Sequence, residues 1–252
     1  MKTIGTGTQK VQEELEFLFP DWETIRMDTD TVNAVNTHEK ILDHFKNDHV
    51  PILVGTQMVA KGLNLPDVTL VGVLDADLSL YTDSFRAAET TFNMLTQVVG
   101  RAGRGDAPGL ALIQTMQPDH QVIRLAAKQD YAGFYDLEIQ LRKMQNVPPF
   151  GDILTVIFTG QEETAVLRGA AKFRDSLLAC LKQPDFATTA CTVLGPAPCA
   201  VPKINYNFRY RLTLRAPLNK QLRGLVAHLL RQFSQDKLNR GVSAFADVNG
   251  FD

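Results

Sequence analysis

Apolar positions along the chain recur in two rhythms. Over 9–19, Val11, Leu15 and Leu18 follow a helical repeat that Pro20 ends. A short strand is expected over 24–27, then a helix beginning at Thr37 with Ile41, Leu42 and Phe45 turned inward. Strand-like, β-branched and apolar runs follow at 52–54, 68–74 and 110–113. The first ends at Gly55-Thr56 and the second at Asp75, and a long helix is predicted over 85–104 before the third. Continuous apolar strands alternating with amphipathic helices imply an α/β domain, a parallel sheet covered on both faces. In such sheets ligands gather beyond the carboxyl ends of the strands, where Thr56, Asp75 and the approach to Arg101 fall.

A further helical stretch, with Tyr131, Phe134, Leu137 and Leu141 apolar, runs over 119–145 until Pro148-Pro149-Phe150-Gly151 breaks it. That break sets the expected boundary between domains 1–147 and 148–252. Beyond it the rhythm predicts a strand over 153–159, a helix over 163–181, strands over 189–194 and 208–214, a helix over 220–233 and a strand over 242–248. The order βαββαβ predicts a smaller, ferredoxin-like α+β domain with an antiparallel sheet.

At 252 residues, 44% hydrophobic and 21% charged, the chain suits two modest soluble domains. It has no apolar run near the roughly 20 residues that span a bilayer and no signal-like start, so a cytoplasmic protein without a membrane partner is expected. Cys180, Cys191 and Cys199 lack zinc-site spacing and are an odd number, so they are expected to be reduced; the five histidines form no HxxxH or HExxH pair, and no metal site is expected. The net charge of −2 hides a division: residues up to Arg124 hold 10 Lys/Arg against 17 Asp/Glu, a balance of −7, and those after it 16 against 11, or +5. The two halves should therefore meet different partners.

Candidate chemistry concentrates in four places. In Gln97-Val98-Val99-Gly100-Arg101-Ala102-Gly103-Arg104-Gly105, Gln97, Arg101 and Arg104 share one side of a helix, so two guanidiniums can fork onto one phosphate chain; the same residues would also serve ordinary helix C-capping. At the end of the second strand, Gly55 and Thr56 can offer amide and hydroxyl to a phosphate and Gly62 admits a ligand close to the backbone, unless this is simply a polar turn. Asp75 and Asp77 could face a metal only if the strand has ended by Asp75; a strand-exit role is the alternative. From Phe186 to Gln235 there is no acidic residue, while Lys203, Arg209, Arg211, Arg215, Lys220, Arg223 and Arg231 are interspersed with Tyr206, Phe208 and Tyr210. That mixture suits single-stranded DNA, an acidic peptide, or a plain solvated basic face. Phe208, Tyr210 and Leu212 would share one face of a strand and Arg209 and Arg211 the other.

Gly55-Thr56 with Gly62-Leu63-Asn64, and Gln97xxGly100-Arg101xGly103-Arg104, resemble motifs V and VI of the second RecA-like lobe of superfamily 2 helicases. With Gly5-Thr6-Gly7-Thr8, Leu74-Asp75-Ala76-Asp77-Leu78, Asp83-Ser84-Phe85-Arg86-Ala87-Ala88-Glu89, Leu95-Thr96-Gln97 and Pro148-Pro149-Phe150-Gly151, the chain is similar to the primosomal replication-restart helicase family over nearly its whole length. The resemblance implies the carboxyl-terminal part of an ATP-dependent DNA helicase of 3′ to 5′ polarity. It implies that Arg101 and Arg104 reach the γ-phosphate as arginine fingers and that Gln97 positions phosphates or water. Gly62, Asn64, Gly100 and Gly103 would lie toward the nucleotide, and Thr56 with Gly55 on the DNA backbone; many relatives have Asp where this chain has Asn64.

ATP and Mg²⁺ would be held mainly by another lobe, and zinc by a cysteine-rich segment preceding Gly5. The implied partners are forked or single-stranded DNA, the acidic tail of single-stranded DNA-binding protein, and primosome loading proteins. The 252 residues contain no GxxxxGK[ST] loop and no DExH box, so the chain is expected to be an excised piece or truncated frame, to hold no cofactor and to be inactive alone. Two other readings are another superfamily 2 translocase, such as a branch-migration or RNA helicase, and a non-catalytic interaction module. A Rossmann dehydrogenase is disfavoured, because Gly5-Thr6-Gly7-Thr8 lacks the third glycine.

Overall fold

The computed structural model describes residues 7–27, 35–56, 67–100, 109–186, 190–217 and 219–250. They form two compact units that divide between Tyr135 and Asp136, with Asp83–Phe85 belonging to the second.

The first unit runs α1 (Thr8–Leu18), β1 (Thr24–Met27), α2 (Val35–Asn47), β2 (Ile52–Gly55), β3 (Leu70–Val73), α3 (Asp77–Leu80), α4 (Ala87–Val99), β4 (Leu110–Ile113) and α5 (Gln121–Ala127), and takes in the start of α6 (Tyr131–Gln145). Its strands pair in parallel, as the apolar runs predict: Thr24 faces Ile52 in β1–β2, and Leu70 faces Leu110 in β3–β4. Among the described residues these are two separate two-stranded ladders. Strand alternation turns Val73 and Ile113 toward the core and, among the described residues, leaves Leu70, Leu110 and Leu112 more than half exposed (56%, 55% and 54%). The core is helical. Phe92 and Leu95 of α4 meet Val122, Ile123 and Ala126 of α5 and Phe134 of α6, with Phe92 stacked on Phe134 at a centroid distance of 4.1 Å.

Two predicted helices differ in extent. The stretch over 119–145 is broken into α5 and α6, because Gln129 adopts a left-handed φ of 54° and Asp130 Oδ1 accepts a hydrogen bond from Gly133 N at 2.9 Å, restarting the helix. The helix expected over 85–104 begins at Ala87; Val99 is its last residue, and residues 101–108 lie outside the described ones.

The second unit contains most of α6, then β5 (Asp152–Gly160), α7 (Glu163–Leu181), β6 (Thr192–Ile204), β7 (Asn207–Ala216), α8 (Lys220–Gln235) and β8 (Val242–Val248). The strands form one antiparallel sheet in the order β6-β7-β5-β8, the arrangement expected of a ferredoxin-like βαββαβ chain. Each helix buries one stripe: Val166, Gly169, Ala170, Phe173 and Leu177 from α7, and Leu222, Val226, Leu229 and Phe233 from α8. These close over Leu154, Val156 and Phe158 of β5 and Leu212 and Leu214 of β7. Phe158 meets Phe173 and Phe233 edge to face, both at 5.4 Å. Gly169 lets α7 and α8 approach, since a Cβ there would lie 3.1 Å from the Phe233 ring.

β6 extends ten residues beyond the strand end expected at Leu194. Pro196, Pro198 and Pro202 make that segment read as a loop, yet β6 is an edge strand, where prolines without donors are tolerated. Its ladder with β7 shifts register between Leu194 and Ala197 and again between Pro198 and Lys203, which accommodates them.

Candidate nucleotide and nucleic-acid sites

The chemistry-bearing ends of the first unit are set by its strands and by α4. Gly55 closes β2 and Thr56 follows it, both exposed at the carboxyl end of a parallel strand. Gln97 stands exposed in the last turn of α4, whose other side buries Thr91, Phe92, Leu95 and Val98. Gly100 caps that helix: its amide donates to Thr96 O at 3.0 Å, and a Cβ would sit 3.2 Å from the same oxygen. The packed face of α4 therefore fixes the direction in which Gln97 projects. Arg101, Gly103, Arg104, Gly62 and Asn64 lie outside the described residues.

At the exit of β3, Asp75 takes a left-handed φ of 51° and its amide donates to Gln114 Oε1 at 3.2 Å. The Asp77 carboxylate accepts from Thr115 Oγ1 at 2.9 Å and from Met116 N at 2.7 Å. Both Asp77 oxygens thus tie the end of β3 to the end of β4, in keeping with the strand-exit reading. A feature that the sequence pattern does not flag is His44. Its ring nitrogens lie 2.6 Å from Asp48 Oδ2 and 2.9 Å from Glu23 Oε1. The hydrogen bond to Asp48, then that to Glu23, raises its pKa above the ordinary value of 6.5. The i, i+4 spacing of His44 and Asp48 is visible in sequence; the reach to Glu23 is not.

In the second unit the predicted division of β7 is observed. Leu212 and Leu214 are buried and Tyr210 packs beside them, its hydroxyl donating to Glu163 Oε1 at 2.8 Å. That bond raises the Tyr210 pKa. Arg209, Arg211 and Arg215 lie on the opposite face, in register with Thr159, Ile157 and Ile153 of β5. The three are not equivalent. Arg211 forms an ion pair with Asp83 and only 14% of its side chain is exposed. Arg209 donates to Val201 O at 3.4 Å. Arg215 Nε is buried and has no hydrogen-bond partner among the described residues. Lys203 is exposed, with its ammonium 4.2 Å from the centre of the Phe208 ring. The Asp83–Arg211 pair spans 128 positions, so neither residue predicts the other from sequence.

Parallel strands with flanking helices make the first unit an α/β lobe, and a separate antiparallel α+β domain follows it. The chain matches the family described as helicase conserved C-terminal domain over residues 6–106, and the primosomal protein N C-terminal domain over residues 143–249. It is 39% identical over 251 residues to the replication restart protein PriA of Bacillus subtilis (strain 168), covering 100% of this chain and 30% of that protein. The Synechocystis protein of the same name is 40% identical over 220 residues (86% of this chain, 25% of the relative), and that of Chlamydia pneumoniae 37% over 222 residues (86% and 29%). The chain belongs to the primosomal replication-restart family, and it spans about 30% or less of the length of these relatives.

Proposed function

We propose that this chain supplies one half of an ATP-driven, 3′ to 5′ DNA-translocating motor for replication restart, with a C-terminal domain, bounded at Val147/Pro148, that meets DNA. The observation that carries this reading is the exposed Gln97 on the last turn of α4, directly ahead of Gly100-Arg101-Ala102-Gly103-Arg104, within the segment that matches the helicase family. Arg101 and Arg104 act as arginine fingers on the γ-phosphate of ATP and Gln97 positions phosphate or water. Gly62, Asn64, Gly100 and Gly103 line the nucleotide side. Such a finger contributes on the order of 10³ to 10⁵ in rate, because fixed positive charge meets the charge that develops on the transferring phosphoryl group. Gly55 and Thr56, exposed at the end of a parallel strand, contact the DNA backbone.

ATP and Mg²⁺ require another lobe, because these 252 residues hold no phosphate loop to cradle them. In the second unit, Lys203, Arg209 and Arg215 offer charge to phosphates, whereas Arg211 is engaged by Asp83. The same basic span would also attract the acidic tail of a single-stranded DNA-binding protein or of a primosome loading partner, in a cytoplasmic setting. Assay of the purified chain tests the division of labour: with or without DNA it should release no phosphate from ATP. DNA-stimulated turnover abolished by Arg104→Ala would contradict it.

A further inference from the structure

The β6–β7 hairpin turns on two residues, Asn205 and Tyr206, since Ile204 pairs directly with Asn207. Both are left-handed, with φ of 47° and 66°, as a two-residue type I′ turn requires. Asn suits the first position, but the second favours glycine, and a bulky ring there is sterically disfavoured. The fold gains no burial in return, because Tyr206 is 83% exposed. The turn is nonetheless braced, with Asn207 Nδ2 donating to Asn205 O at 3.2 Å. A flat ring is therefore held out to solvent on a stiff hairpin.

Its surroundings select a ligand. No acidic residue occurs from Phe186 to Gln235. Among the described residues beside β7, the carboxylates of Glu163 and Asp83 are engaged by Tyr210 and Arg211. Lys203, close to the tip, keeps its charge exposed while the Phe208 ring steadies its stem. The other aromatics of this segment are less available: Tyr210 borders the core and Phe208 lies under Lys203. An exposed ring at a hairpin tip, with the exposed Lys203 one position before Ile204, suits a base stacked on the ring and a phosphate near the ammonium. An acidic peptide would need several cations converging on a concavity.

We infer that Tyr206 is a stacking contact for an unpaired base of single-stranded DNA, with Lys203 beside it on the phosphate; this rests on the proposed meeting of the C-terminal domain with DNA. The test uses the full chain and fluorescein-labelled oligothymidine of about 20 nucleotides, titrated by anisotropy at several salt concentrations. Tyr206→Gly removes the ring and gives the turn the residue it prefers, so thermal stability should not fall. It should weaken binding at least about fivefold and leave the salt slope unchanged, because no phosphate contact is lost. Tyr206→Trp should bind within about twofold of the original, and Lys203→Ala should lower the salt slope by about one phosphate contact. A 2-aminopurine strand should lose its quenching with Tyr206→Gly. Original and Tyr206→Gly chains that bind alike, with the usual salt dependence, would overturn the tip contact alone. Loss of affinity for an acidic peptide with oligothymidine binding intact would overturn it in favour of a peptide. Failure of the original chain to bind any single strand would overturn both the tip contact and the DNA reading of the domain.

Discussion

In the second unit all four strands join one hydrogen-bonded sheet and two helices close a single core over it; in the first, the described strands make two separate ladders, one with leucines turned outward. The difference separates two ways of positioning function. The second unit is stiffened by its own packing and can present a hairpin tip from an edge. The first carries its candidate residues at strand and helix ends, where α4 is anchored by Phe92 and Leu95 while Gln97 is exposed among the described residues. Binding residues carried on the ends of packed elements are held more closely than residues on unsupported loops.

Substitutions can break or sharpen that contrast. Phe158 is fully buried at the centre of the aromatic trio, so Phe158→Ala should cost about 3–5 kcal/mol in denaturant unfolding of the second unit. Gly169→Val, which forces atoms against the Phe233 ring, should cost about 1–3 kcal/mol in the same measurement. Asn219 caps α8 by accepting from Leu222 N at 2.8 Å, and Asn219→Ala should cost about 1 kcal/mol. Leu112→Ser, at a side chain more than half exposed among the described residues, should change stability by no more than about 0.5 kcal/mol. A loss like that of Phe158→Ala would mean that Leu112 is covered in the folded chain.

The smallest expected effect is that of pH on His44. Its pKa is raised in the folded chain, so its contribution is complete below the unfolded value near 6.5 and is lost as pH rises through the higher folded value. An NMR titration of the ring should give a midpoint above 6.5, and Asp48→Asn should lower it. A midpoint at or below 6.5 would mean that Glu23 and Asp48 do not clamp the charged ring in solution.

Much of this architecture is written in local pattern. The apolar runs at 52–54 and 110–113 locate strands that do pair in parallel. The stripes of α7 and α8 are legible because only one side of each helix meets the sheet. Other features depend on tertiary context. The break at Gln129 rests on a left-handed residue that is not glycine, and the length of β6 rests on its edge position, which makes three prolines tolerable. The arginines of β7 illustrate the limit for function. Alternation assigns Arg209, Arg211 and Arg215 to one face, but only the fold reveals that Asp83 already neutralises Arg211. Tyr206 stands out from Phe208 and Tyr210 only once the turn between Ile204 and Asn207 is known.

The role proposed for Arg104 is to act on ATP held by another lobe. The most direct measurement replaces the matched 30% of the Bacillus subtilis relative with this chain and follows DNA-stimulated ATP hydrolysis by the chimera. The chimera should turn over, and Arg104→Ala should lower its rate roughly 10³-fold or more with ATP still bound. An Arg104→Ala chimera that hydrolyses ATP as fast as its parent would contradict it.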